Sequence, residues 1–144
     1  MEWKKGTTNR LRIKRLPQNA IIPTKGSRIA AGHEIYTLKD GTIPAQRRML
    51  VDTRIAIGLP REIYGRLAAR SAIASKHGMA VGGGVIHADY TGEIKVILRN
   101  QGNASYAFKA GDRITQVIVE KIQTQDAMEI DNREDTKRGT REFG

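Results

Sequence analysis

Short apolar runs, many of them β-branched, follow one another along the chain and are cut by Gly, Pro, Asn and Asp. Apolar residues at helical spacing are scarce, and alternation with turn signals is the mark of an all-β sandwich or barrel. The pattern predicts strands over residues 11–15, 49–57, 63–68, 93–100 and 112–121. Turn signals fall at Lys39-Asp40-Gly41, Leu59-Pro60, Gln101-Gly102-Asn103 and Lys109-Ala110-Gly111-Asp112. One short helix is predicted over residues 71–77, with Ser71 capping its start and Gly78 in the left-handed position after its end. No internal repeat or low-complexity tract interrupts this pattern. Residues 132–144 hold few apolar side chains and read as a flexible C-terminal arm, residues 1–10 as a basic N-terminal segment, and 1–144 as a single domain.

Composition narrows the class. At 144 residues the chain can bury a real core. The absence of cysteine excludes disulfides and thiolate metal sites, which suits an intracellular compartment, cytoplasm or nucleus. No apolar stretch approaches the roughly 20 residues of a membrane span, and Met-Glu-Trp-Lys-Lys-Gly is no signal peptide. The net charge of +10 invites an anionic partner. Six Lys and Arg side chains against one Glu crowd the first fifteen residues, whereas residues 126–144 mix six acids with four bases. A nucleic acid would bind at that basic start. Aromatic residues at 5% are nevertheless few for stacking bases, which favours a basic surface around a nucleotide site.

Three segments carry candidate chemistry. In Gly65-Arg66-Leu67-Ala68-Ala69-Arg70-Ser71-Ala72, an Arg and a Ser meet at the helix start, where backbone N–H groups favour an anion. The plainer alternative is a capping Ser beside a solvated Arg. In Gly82-Gly83-Gly84-Val85-Ile86-His87-Ala88-Asp89-Tyr90-Thr91-Gly92-Glu93, the glycines permit close backbone approach and Val85-Ile86 suggests a strand. A turn and a second strand from Glu93 would complete a hairpin able to hold a flat ligand, with Tyr90 offering a ring face; alone, the glycines would only mark a bulge. His33, His77 and His87 lack zinc-ligand spacing. Gly111-Asp112-Arg113-Ile114-Thr115-Gln116-Val117-Ile118 is a turn into a core strand, with Gln116 polar among apolar neighbours.

In this order, the segments resemble the trimeric dUTPases. Ala31-Gly32-His33-Glu34-Ile35-Tyr36 is similar to that family's first motif, Ala-Gly-Tyr-Asp-Leu. Residues 65–74, 84–93, 111–118 and 138–144 are similar to its second to fifth motifs. The resemblance implies a dUTPase-like β-clip or jelly-roll barrel with one short helix, assembled as a homotrimer that converts dUTP to dUMP and pyrophosphate. It implies that Mg²⁺ is held by the substrate phosphates, with no direct protein ligand. Arg70, Ser71, Ala72 and Gln116 would then meet phosphates, and Gly84, Val85, Ile86 and Lys95 would read uracil. Tyr90 would lie under the deoxyribose, and Arg138, Phe143 and Gly144 would close over the ligand.

Several positions depart from the pattern. His87 stands where the family has the Asp that activates water, Glu34 where it has Asp, and Ala72, Arg141 and Glu142 where it has Gly. A positioned base is worth roughly 10² to 10⁴ in rate, so a weak or inactive enzyme that still binds dUTP and dUMP is expected. The contrasting expectation is a non-catalytic nucleotide-binding or assembly module of a larger, retroelement-like polyprotein. A dCTP deaminase shares the fold but needs a catalytic Glu that these motifs do not supply.

Overall fold

The computed structural model describes residues 10–143. The basic segment expected over 1–10 therefore lies, save Arg10, outside the described residues, as does Gly144. The elements run β1 (Arg12–Arg15), β2 (Gly32–Tyr36), β3 (Gly41–Ile43), β4 (Arg48–Asp52), β5 (Ile55–Gly58), β6 (Ile63–Ala68), α1 (Ser71–His77), β7 (Met79–Gly82), β8 (Val85–Ile86), β9 (Lys95–Asn100), β10 (Tyr106–Phe108) and β11 (Arg113–Lys121). They form antiparallel sheets ordered β1-β5, β10-β3, β2-β11-β6-β8 and β4-β9-β7. This is the mostly β, jelly-roll-like class with one helix that the sequence pattern indicates. No helix among the described residues is long and apolar enough to cross a membrane.

Strand alternation builds the core. Along β9, Val96, Leu98 and Asn100 turn inward and are fully buried, while Lys95 and Arg99 face out. Val96 and Leu98 pack with Ile35, Ile43, Ile55, Ile114 and Val117. The buried Asn100 amide donates to the carbonyls of Ile43 and Ala104 and accepts from the Gly102 N–H, each at 2.9 Å, so it ties three turns together without an unpaired polar atom. In β11 the register shifts between Arg113 and Thr115, so two neighbours, Ile114 and Thr115, are both buried.

Three expectations need correction. The run over 49–57 is two strands, because Arg54 adopts a left-handed backbone (φ 60°) and ends β4. A non-glycine residue there costs about 1 kcal/mol or more, so something must hold it. Val85-Ile86 and the strand after Glu93 do not pair as a hairpin. Strand β8 joins β6, whereas β9 lies between β4 and β7, so the chain crosses from one sheet to another and returns. Finally, Ser71 does not cap α1. It is the first helical residue; extended Arg70 (φ −74°, ψ 133°) takes the cap position without a side-chain bond. Gly78 does end the helix left-handed (φ 69°) and must be glycine, since a Cβ would lie 2.9 Å from the Gly102 nitrogen.

Candidate functional site

The crossing between sheets makes a cleft. After β7 the chain turns through Gly83 (φ 63°) and Gly84 (φ 97°), a path that residues with side chains rarely adopt. The Gly84 carbonyl accepts the Leu67 N–H at 2.8 Å, and a Cβ on Gly84 would sit 3.0 Å from the Leu67 oxygen. Val85 and Ile86 then pair with Arg66 and Gly65. A turn follows, closed by the Tyr90 N–H on the His87 carbonyl at 3.1 Å, and the chain returns through Glu93 to β9. The space left between these arms is about 230 Å³ and is lined by Gly84, Val85, Ile86, His87, Tyr90 and Lys95, with Leu67, Glu93 and Ile97 completing its walls. Six of the residues singled out from the sequence thus converge on one cleft.

Tyr90 is held rather than loose, although 46% exposed. Its hydroxyl donates to the Glu93 carbonyl at 2.6 Å, and its ring lies so close over Gly92 that a Cβ there would be 2.7 Å from the hydroxyl oxygen. His87 is exposed and borders a second, larger cleft of about 700 Å³ with Arg61, Tyr64 and Asp89. Lys95 pairs with Asp52 across β9 and β4 at 3.3 Å.

A second group forms where β6 runs out toward α1. The β2–β11–β6 register sets Gln116 opposite Glu34 on one side and Ala68 on the other. The Gln116 amide donates to the Ala69 carbonyl at 3.2 Å, and only a glycine at 32 leaves room for it, a Cβ there meeting its oxygen at 2.3 Å. Arg70 donates through Nε to Glu34 at 2.8 Å, both side chains about four-fifths buried. This leaves the Nη edge of Arg70 without a bond among the described residues. Burial pushes the Tyr106 phenol up, Asp112 adds to the rise, and the nearby Arg70 cation opposes it. Ser71 and Ala72 follow, exposed, in the first turn of α1.

These phosphate candidates do not line the 230 Å³ cleft. Nor does the terminal segment reach it: residues 122–143 hold no strand or helix and are exposed. Within that segment Arg138 donates to the Arg141 carbonyl at 2.7 Å and pairs with Glu142. Phe143 stands fully exposed. Two contacts had no sequence signal. One is the Glu34–Arg70 pair, although Glu34 is marked by its departure from the motif. The other is the attachment of Glu93 to Arg54 (Nη1 to Oε1, 3.1 Å), which nothing in either segment announces.

A family model described as dUTPase matches residues 18–144. The chain is 44% identical over 133 residues to the deoxyuridine 5'-triphosphate nucleotidohydrolase of Arabidopsis thaliana, covering 92% of this chain and 80% of that one. It is 47% identical over 125 residues to the Candida albicans protein of the same name, covering 85% and 79%. In structure it is similar to the Staphylococcus bacteriophage 80alpha dUTPase G164S mutant solved with dUpNHpp: TM-score 0.88, 24% identity, 95% of this chain and 98% of that chain.

Proposed function

Because this chain belongs to the dUTPase family, we propose that it binds dUTP and dUMP as a homotrimer and hydrolyses dUTP to dUMP and pyrophosphate slowly. The observation that carries this is the convergence of Gly84, Val85, Ile86, His87, Tyr90 and Lys95 on one cleft. The backbone of Gly84–Ile86 and of Lys95 offers the fixed donors and acceptors that a pyrimidine edge needs, and Tyr90 supports the sugar. Arg70, Ser71, Ala72 and Gln116 hold phosphates from an adjoining copy. Their separation from the cleft within one chain supports a site shared between copies. Arg138, Phe143 and Gly144 of an arm complete it.

In the reaction, water attacks the α-phosphorus, the bond to the bridging oxygen breaks, and pyrophosphate leaves. His87 occupies the position from which the water's proton is removed. A neutral imidazole accepts a proton, but it carries no negative charge and reaches further than a carboxylate, so water and base are misaligned and the rate falls. Among the described residues no three His, Asp or Glu side chains converge to hold a metal. Mg²⁺ would be held by the oxygens of the triphosphate, where it would neutralise charge, and no side chain of this chain is assigned to it.

The test is titration with a non-hydrolysable dUTP analogue beside pyrophosphate release from dUTP and ammonia release from dCTP. Analogue binding with dUTP turnover well under about 1 s⁻¹, the low end of ordinary enzymes, supports the reading. Failure to bind the analogue overturns it, and preferred turnover of dCTP assigns a deaminase-like relative instead. Binding with no release above the uncatalysed rate assigns a nucleotide-binding module.

A further inference from the structure

We propose that Arg54 is a positioning residue that sets discrimination between deoxyribose and ribose, acting through Glu93 on Tyr90. The inference rests on the proposed placement of Tyr90 against the sugar. Arg54 is one of two non-glycine residues with positive φ among the described residues. That conformation turns the backbone N–H and the guanidinium of Arg54 toward the same carboxylate. The N–H donates to Glu93 Oε2 and Nη1 to Oε1, both at 3.1 Å. Glu93 is only 12% exposed, so the carboxylate in this fork is withdrawn from water while the Arg54 side chain, 42% exposed, reaches it from the surface.

The same bend is stitched to the next residue. The Thr53 hydroxyl donates to the Ile94 carbonyl, and the Ile94 N–H donates to the Ile55 carbonyl at 2.8 Å. The Glu93–Ile94 peptide is therefore also held through Ile94 by the 53–55 segment. It is the carbonyl of Glu93 that takes the Tyr90 hydroxyl at 2.6 Å. Without the guanidinium, Glu93 keeps the N–H bond from residue 54 and the tie through Ile94 but loses its Nη1 partner, so the carbonyl that orients the phenol is placed less narrowly. Arg54 does not line the cleft, whereas Glu93 and Tyr90 do. It touches no ligand and acts only through them. Excluding a single hydroxyl depends on the ring standing within a fraction of an ångström, since about 1 Å of misplacement can cost 10²-fold in a well-formed site.

Arg54→Gly separates this role from a structural one. Glycine adopts φ 60° without strain and keeps the N–H bond to Glu93, so the fold and melting temperature should hold while the guanidinium is lost. Affinities of dUMP and UMP, measured by calorimetry, give the ratio that a purely structural clamp would leave unchanged. The starting protein should prefer dUMP, and Arg54→Gly should cut that preference by about threefold to tenfold. Arg54→Lys, which keeps the charge but not the fork, should recover only part of it. Glu93→Gln, which weakens the fork from the other side, should lower the ratio likewise. In a Tyr90→Phe background, which lacks the hydroxyl, Arg54→Gly should have no further effect. An unchanged ratio in Arg54→Gly, with Tyr90→Ala lowering it, overturns the inference and spares the placement of Tyr90. Equal affinity for both sugars in the starting protein overturns that placement and the inference with it.

Discussion

His87→Asp tests the chemistry of the cleft with little disturbance to the fold. His87 opens the turn closed by the Tyr90 N–H at 3.1 Å, a position that aspartate favours. Its ring is exposed and makes no hydrogen bond among the described residues. Stability should accordingly change by less than about 0.5 kcal/mol, the usual scale for such surface sites. The chemical change is larger, because a carboxylate restores a short anionic acceptor at the ridge between the two clefts. A positioned base contributes roughly 10² to 10⁴ in rate, or about 3–5 kcal/mol of barrier. Imidazole retains some basicity, which sets the expected gain at the lower end, about 10². Pyrophosphate release from dUTP with Mg²⁺ measures it, on protein whose mass by light scattering is near three times 16.0 kDa. Turnover by the starting protein already at about 1 s⁻¹ or above would refute the reasoning. So would an unchanged rate in a variant with unchanged melting temperature. A gain well below 10² would move the burden to Ala72, Arg141 and Glu142, whose replacement by glycine should then act together with His87→Asp rather than additively.

Arg48 and Arg99 stand directly opposite one another on β4 and β9, a like-charge rung at the other end of the ladder from the Asp52–Lys95 rung that complements itself. Arg99→Leu should therefore raise stability by about 0.5 kcal/mol in urea unfolding, and a fall of that size would count against the rung as a liability. Gly84→Ala should cost about 2 kcal/mol or more, because φ is 97° and the Leu67 oxygen is 3.0 Å from the new Cβ. A thermal melt equal to that of the starting protein would contradict it. Hydrogen bonds from Arg66 and Tyr64 hold the Glu120 carboxyl below its usual 4.5. Because the folded value is the lower one, this contribution is present above the unfolded pKa and is lost as pH falls through the folded value. Glu120→Gln should thus give a shallower loss of melting temperature below about pH 4.5 at the acid end, and parallel curves would remove Glu120 from the account.

Legibility followed the range over which each element's cause acts. Residues 63–68 and 71–77 form the strand and helix expected, with the same bounds, because alternation, a left-handed Gly78 and apolar Ile73 are all local signals. Strands β9 and β11 begin within two residues of expectation for the same reason. The break at Arg54 did have a trace, the polar trio Asp52-Thr53-Arg54 inside an apolar run, but the carboxylate that stabilises it lies 39 residues away. Short strands such as β3 and β10 carry too few residues to alternate visibly and exist because they pair with each other across more than sixty residues. Of the site, the cleft residues were found through motif resemblance. Which of them share a cleft, and that Arg70 is already engaged by Glu34, are facts of packing that no segment states alone.

The cleft's two walls belong to different sheets: Leu67 and Ile86 to the four-stranded one, Gly82 and Ile97 to the three-stranded one. Its width is thus the spacing between sheets, the quantity that core side chains such as Val96 and Val117 also set. A close-packed core resists compression, so the aperture presented to a planar ring is gauged by the bulk of residues that never meet it. Any ligand selectivity of the proposed site would then be partly a mechanical property. Hydrostatic pressure, which favours states without internal voids, would then act on recognition and on folding together. A ligand seated in the cleft would touch both sheets at once.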